Sequence, residues 1–453
     1  MSTIQETPHS TGNSVSLFTA FRYWLQLGFI SFGGPAGQVA MMHQELVEKR
    51  RWISEQRFLH ALNYTMLLPG PEAQQLATYI GWLLHGTKGA LIAGLLFILP
   101  SFFMLSLLAW LYLAHGDVPL LQGVLYGVKP AVTAIVLFAA WRIGKKTLHT
   151  TALKLLALAA LFAIALFKLP FPYIVMLAAA IGLLLMRYLP AQLAIPAASH
   201  TKTAGSAQQA DAIISDSAVL PKKQLFSWKK FGLGIALGFA IWAMSLGLLT
   251  LLYGWHSPQA QLAWFFTKAA LLTFGGAYAV LPYVYQGAVE HYGWLTALQM
   301  IDALALGEST PGPLIMVVAF VGFIAGWGAQ LAGPDMLPLA GMLAAAIVTF
   351  FTFLPSFLFI LVGAPLVESS RKQAFFTAPL TAITAAVVGV IVNLALFFGY
   401  HVIWPQGFAG NIDLSALFIG LLAGLALFRF NQGIMRVLFV AALLGGLLNS
   451  GLI

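Results

Sequence analysis

The sequence predicts an all-α polytopic membrane protein. It is read as two homologous halves forming an inverted repeat, each with broken or re-entrant helices, joined by an extra transmembrane helix. Three observations carry this. Of 453 residues, 60% are hydrophobic and only 8% are charged, too few charges to coat a water-soluble body of this size. Nearly uncharged stretches such as Leu91 to Leu113 and Leu337 to Val362 reach the ~20 residues that cross a hydrocarbon core. Phe32-Gly33-Gly34, Trp52 and Pro69-Gly70-Pro71 recur as Phe274-Gly275-Gly276, Trp294 and Pro311-Gly312-Pro313, each 242 positions further on.

These landmarks divide the chain. Residues 1–15 are a polar tail with no basic residue ahead of the first apolar run, so no cleavable signal peptide is expected. Residues 16–190 form the first membrane repeat, 191–227 a polar linker, 228–254 a connecting transmembrane helix and 258–453 the second repeat. Leu99-Pro100-Ser101-Phe102 returns as Leu354-Pro355-Ser356-Phe357 after an insertion. If each repeat crosses an even number of times, the unpaired connecting helix turns the second one over.

Charge placement agrees with inversion. Lys49, Arg50, Arg51 and Arg57 form one basic loop, and Arg142, Lys145, Lys146 and Lys154 another, while their counterparts in the second repeat hold no basic residue. The loop at 114–122 has none, whereas its partner carries Arg371 and Lys372. The positive-inside bias then places the N-terminus and the linker in the cytoplasm of a bacterial inner membrane protein and the turn Gly254 to Pro258 outside. It also accounts for the net charge of +9, so no nucleic-acid partner is expected.

With no cysteine, and no zinc, phosphate-loop or nucleophile-elbow motif, the chain offers no sign of an enzyme, a metal site or a cofactor. The Gly and Pro breaks are the informative feature, because non-helical backbone at membrane depth survives only where protein or a watery cavity satisfies it. Each break reads as a kink or a re-entrant hairpin tip, and placing both basic loops on one side favours hairpins, followed by four helices near 88–114, 123–142, 149–168 and 170–189. Helices that begin after such breaks point amide N–H groups inward, which suits an anion.

The candidate substrate-binding residues are Lys268, Arg22, Gln26, Gly33, Gly34, Gln38, Pro69, Gly70, Gln74, Gly275, Gly276, Ser309, Thr310 and Gly312. Lys268 and Arg22 are the cations within apolar sequence, Arg22 also fitting a snorkelling role, and Gln26 aligns with Lys268. The Gln, Ser and Thr side chains are candidate donors to oxyanion oxygens. Glu72, Glu308 and Asp302 are candidate proton carriers, since protonation removes their repulsion of an anion. Trp52 and Trp294 read as interfacial anchors.

Ser31-Phe32-Gly33-Gly34-Pro35, Arg51-Trp52, Leu68-Pro69-Gly70-Pro71, Thr273-Phe274-Gly275-Gly276 and Ser309-Thr310-Pro311-Gly312-Pro313 together resemble the chromate ion transporter family in its long, two-domain form. The resemblance covers nearly the whole chain. It departs at Gln26, where family members often carry Lys or Arg, in Gly-Gly-Ala at the second copy, and in the long linker. It implies a secondary transporter exporting chromate, conferring chromate resistance. Proton-coupled antiport is a further hypothesis from the carboxylates. The expected partners are chromate or a sulfate-like oxyanion, the lipid bilayer, protons and a second copy of the chain in a homodimer. The other readings are a sulfate or other oxyanion transporter, a passive channel, and a membrane-embedded enzyme or scaffold.

Overall fold

The duplication is clearest in backbone features that few sequences adopt. The computed structural model describes residues 15–32, 34–116, 118–189, 212–215, 221, 224–369 and 377–449. It contains π-helical turns at Gln44–Lys49 and Gln286–His291, at the same offset as the sequence landmarks. In the first copy Arg50 N donates to Glu45 O at 2.9 Å and Trp52 N to Leu46 O at 2.7 Å. In the second, Tyr292 N donates to Gly287 O at 2.8 Å and Trp294 N to Ala288 O at 2.7 Å. Because π-helical turns are rare, the repetition marks two copies of one unit.

Each copy opens with two helical hairpins. In the first, α1 (Leu17–Ile30) is followed by α2 (Gly34–His43), and α3 (Glu55–Leu67) by α4 (Glu72–Ala114). Side-chain contacts show that the chain returns at each break. The Arg50 guanidinium lies 5.0 Å from the ring of Tyr23, whereas a continuous helix would hold these residues roughly 40 Å apart. Tyr64 and Tyr79 have ring centroids 5.7 Å apart across the second break. Both breaks are therefore hairpin tips.

A third reversal lies inside α4. His85 (φ −137°) and Gly86 (φ +61°) leave the helical region, and the two arms then run back along each other. Gly81 packs on Gly89 and Ala93, where a Cβ on Gly81 would stand 2.6 Å from that of Ala93, so this close approach requires glycine. The second arm continues to Ala114 as a full crossing.

Then come α5 (Pro119–Thr147), α6 (Thr151–Ala165), α7 (Phe171–Tyr188) and the connecting helix α8 (Trp228–Tyr253). The second copy comprises α9 (Pro258–Leu272), α10 (Ala277–Tyr285), α11 (Ala297–Ser309), α12 (Val317–Gly328), α13 (Leu337–Ser369), α14 (Thr377–Ile403), α15 (Leu414–Phe428) and α16 (Ile434–Asn449). Six helices, α4, α5, α7, α8, α13 and α14, are long and apolar enough to cross a membrane. No β-strand forms among the described residues beyond one isolated bridge.

Packing sorts these helices into two assemblies, each drawn from both copies. α1, α3 and α4 pack with α9, α12 and α13 in a hairpin assembly, while α5, α6 and α7 interleave with α14, α15 and α16 in a bundle. Small residues let the bundle helices approach closely: Gly127 abuts Gly445, Gly389 abuts Ala157, and a Cβ on Gly182 would come within 2.8 Å of that of Ala382.

Two expectations are corrected here. Within the segment read as an exposed linker, Ile214 is buried and pairs with the first basic loop, donating its N–H to Trp52 O at 3.0 Å and accepting from Ser54 N at 3.1 Å. Gln224 Nε2 donates to Trp82 O at 2.7 Å. An apolar Ile-Ile pair in a polar stretch has a core to join. Trp52 is 5% exposed against Tyr23, so it braces a hairpin base rather than facing a lipid interface, while the partly exposed Trp294 stacks on Tyr292 at 4.3 Å. The polar tail up to Ser14, Gly33, Arg371 and Lys372 lie outside the described residues.

Since the chain has no cysteine of its own, cysteines placed singly at Glu48 and Lys88 report the side of the first two hairpin bases. Both are expected to react with a membrane-impermeant maleimide from the same face. Labelling from opposite faces would mean that the intervening breaks are crossings.

Candidate functional site

The four tips meet in two reciprocal contacts. Gly70 N donates to Thr273 O at 2.7 Å, and Gly312 N donates to Ser31 O at 3.0 Å. Gly70 and Gly312 are repeat equivalents, as are Thr273 and Ser31, so each copy lends the other one amide and one carbonyl. Both glycines have left-handed φ, +126° and +102°. A Cβ on Gly70 would fall 2.5 Å from Ser356 Oγ, and one on Gly312 2.7 Å from Ser101 Cβ. These serines are the repeated Leu-Pro-Ser-Phe positions of the long helices α13 and α4. Each tip thus rests on the long helix of the other copy.

The symmetry breaks where the hairpins face the bundle. In the second copy α10 packs on α7 and α14, and α11 packs on α5, α14 and α16. Lys129 on α5 closes this contact, with Nζ 3.3 Å from Asp302 Oδ2, to which Tyr112 also donates at 3.0 Å. Their first-copy equivalents, α2 and α3, face the bundle across a cavity of about 780 Å³. It lies between Pro35, Leu62 and Asn63 on the hairpins and Arg142, Lys146 and Thr384 on α5 and α14, and reaches Glu72, Gly275 and Gly276 at the tips.

Charges ring this cavity. Arg142 and Lys146 stand one turn apart at the end of α5. Lys146 acts electrostatically on Glu72, whose carboxylate lies against Gly276, and Arg142 acts on the buried Glu308, which accepts from Tyr278. Two cations and Glu72 therefore line a space that ends at the tips, with Glu308 buried behind Tyr278. Such a space can admit an anion and lead it to membrane depth.

The chromate transporter family model matches residues 18–183 and again 260–447. The chain belongs to the chromate transporter family. It is similar to a probable chromate transport protein of Synechococcus elongatus, 28% identical over 95% of both chains. It is also similar to chromate transport proteins of Cupriavidus metallidurans, 28% identical over 93% of this chain and 90% of that one, and of Pseudomonas aeruginosa, 32% identical over 82% and 78%. No solved structure matches. These relatives are transport proteins, and the family match makes this chain a multi-pass membrane transporter rather than an enzyme.

In this chromate transporter the residues singled out from sequence fall into three groups. Gly34, Pro69, Gly70, Gly275, Gly276, Gly312, Glu72 and Glu308 lie at the tips or around the cavity. Gln38, Gln74, Ser309 and Thr310 lie at the tips, but their hydrogens are largely committed inside the protein. Gln38 Nε2 donates to Ser31 O at 3.0 Å and Gly312 O at 2.5 Å, and Gln74 Nε2 to Thr78 Oγ1 at 3.0 Å. Ser309 and Thr310 donate to Leu306 O and Gly307 O at the end of α11.

The third group sits elsewhere. Lys268 faces an apolar cleft between α8, α9 and α13, with Nζ 5.5 Å from the Trp264 ring. Arg22 and Gln26 are exposed on the outer face of α1 beside Phe18 and Phe29. Asp302 is held by Lys129 and Tyr112. Residues on an intramembrane helix share a face or not according to period, and α1 and α9 turn their polar positions away from the tips. Arg142 and Lys146 are the residues that sequence reasoning used only for topology. Their one-turn spacing behind an apolar run is the signal that marks them.

Gly70→Ala and Gly312→Ala are each expected to destabilise the protein by about 1–3 kcal/mol, from left-handed backbone and contact with a serine. Gly328→Ala, where nothing lies within 4 Å, is expected to change stability little. Thermal unfolding of the purified variants checks this. Equal midpoints for all three would remove the tip packing described.

Proposed function

We propose that this protein is a secondary transporter that exports chromate from a bacterial cytoplasm, admitting the dianion through the Arg142–Lys146 cavity and passing it by the tips of two inverted copies. The observation that carries the reading is the broken symmetry of a twofold contact. The hairpins of one copy are closed on the bundle while those of the other stand off it across a cationic cavity. Two inverted copies that can each take either arrangement provide alternating exposure of one site. In the state described, the cavity opens beside the basic loops, the cytoplasmic side by charge bias, and the Lys129–Asp302 pair holds the other side shut.

Export follows the electrical driving force. A dianion leaving a compartment held 100 mV negative gains about 4.6 kcal/mol, two charges at about 2.3 each. Arg142 and Lys146 supply positive charge for it on the way in. Glu72 and Glu308 take the place of the anion beside those cations when it is absent, and a proton on either lowers their repulsion of the next one, which is the basis for proton coupling. Chromate resistance follows from export.

In proteoliposomes loaded with radiolabelled chromate, efflux is expected to exceed that of protein-free vesicles and to rise with an interior-negative potential. Arg142→Gln is expected to cut the rate roughly tenfold or more, a loss of about 1.4 kcal/mol, and Lys268→Gln to leave it near the original. Absence of any protein-dependent efflux would overturn the transport reading. A normal rate in Arg142→Gln would overturn the role of the cavity cations. Unlabelled sulfate added to the same vesicles reads whether a dianion of the same shape shares the path.

A further inference from the structure

We propose that the junction of the Ser31 and Gly312 tips is a binding site for a small monovalent cation, of which Na⁺ is the ion that fits. The site deepens the ion-driven part of the function proposed above and rests on that reading only for the use made of the bound ion.

The junction is rich in oxygen, and its amide hydrogens are already spent on carbonyls. Gln38 spends both amide hydrogens on Ser31 O and Gly312 O, which leaves its Oε1 with no partner. Ser31 Oγ and Ser101 Oγ are also unpartnered, and all three side chains are at most 1% exposed. Ser101 packs directly on Gly312, the residue whose carbonyl holds Gln38. Gly312 O keeps a second lone pair for a ligand.

Two further features add negative potential. The C-terminal end of α1 terminates at Ser31, and its last carbonyls carry the negative end of the helix dipole. Pro100 lacks the amide that would bond Leu96 O, and that carbonyl presses against Gly28 of α1 in the turns leading to the tip. An anion would find only the two serine hydroxyls as donors here, among carbonyl and amide oxygens. A cation would be coordinated by these oxygens, as in transporters whose unwound backbone carbonyls and side-chain oxygens hold the coupling ion.

The chemistry narrows the ion. These oxygens are neutral, with no carboxylate in the set, whereas Ca²⁺ and Mg²⁺ sites rely on carboxylates, so a single positive charge is the match. The site lies within closed packing, since Ser31, Gln38 and Ser101 are at most 1% exposed. That favours Na⁺ over K⁺.

The test uses the purified full-length chain in detergent, without chromate. Binding of ²²Na⁺ is expected at one ion per chain, displaced by NaCl but not by KCl or choline chloride, and NaCl is expected to raise the unfolding midpoint at constant ionic strength. Ser101→Ala, which removes one hydroxyl and leaves the helix intact, is expected to weaken Na⁺ binding roughly tenfold or more, as is Gln38→Leu. Equal responses to the three salts, or Na⁺ binding in Ser101→Ala equal to that of the unaltered chain, would overturn the site. Chromate efflux is read separately. A chain that moves chromate but binds no Na⁺ overturns this site alone, and one that binds Na⁺ but moves no chromate overturns the transport reading alone.

Discussion

Backbone that leaves the helix inside a membrane has no solvent to bond with, and the rest of this structure depends on how that requirement is met. Four chain breaks meet inside the protein, and the glycine amide in one tip of each copy is satisfied by a carbonyl in a tip of the other. Neither copy can complete this bonding alone. The same reciprocity brings Gly70 onto Ser356 and Gly312 onto Ser101, so the long helices are drawn into the contact and the two copies become one body.

The twofold contact at the tips is not matched where the hairpins meet the bundle. The hairpins of the second copy lie against the bundle and are fastened by Lys129, Asp302 and Tyr112. Those of the first copy stand away from it, leaving the space that Arg142 and Lys146 line. Asp302 belongs to a closure between two assemblies, and the cations at the mouth belong to a helix whose basic end also reports topology.

The fate of the polar side chains near the tips shows why composition alone misleads about binding. Glutamine and hydroxyl residues are donors on paper, yet Gln38, Ser309 and Thr310 direct hydrogens to carbonyls that broken or ending helices leave open, and Gln74 directs one to the Thr78 hydroxyl. What remains unpartnered on the two glutamines is oxygen. The cations near the tips stand instead in the cavity wall, on α5.

Much was legible in the chain itself. Its apolar composition demanded lipid, the common offset of the Gly, Trp and Pro landmarks demanded a duplication, and the breaks demanded buried partners, because each of these is a local or periodic property. The hairpin tips, the connecting helix and the family followed from them. Which cation meets the cavity was not legible. Lys268, Arg22 and Gln26 occupy broken segments, but a helix buries one face and α1 and α9 turn these residues outward, whereas Arg142 and Lys146 reach the site from a helix more than a hundred residues from its partner tip at Gly275. The sequence by itself determined that two like units with interrupted helices share a membrane. Only the tertiary structure decided which amide meets which carbonyl, which hairpins close and which charges face the space between, because those depend on packing between segments that sequence spacing does not relate.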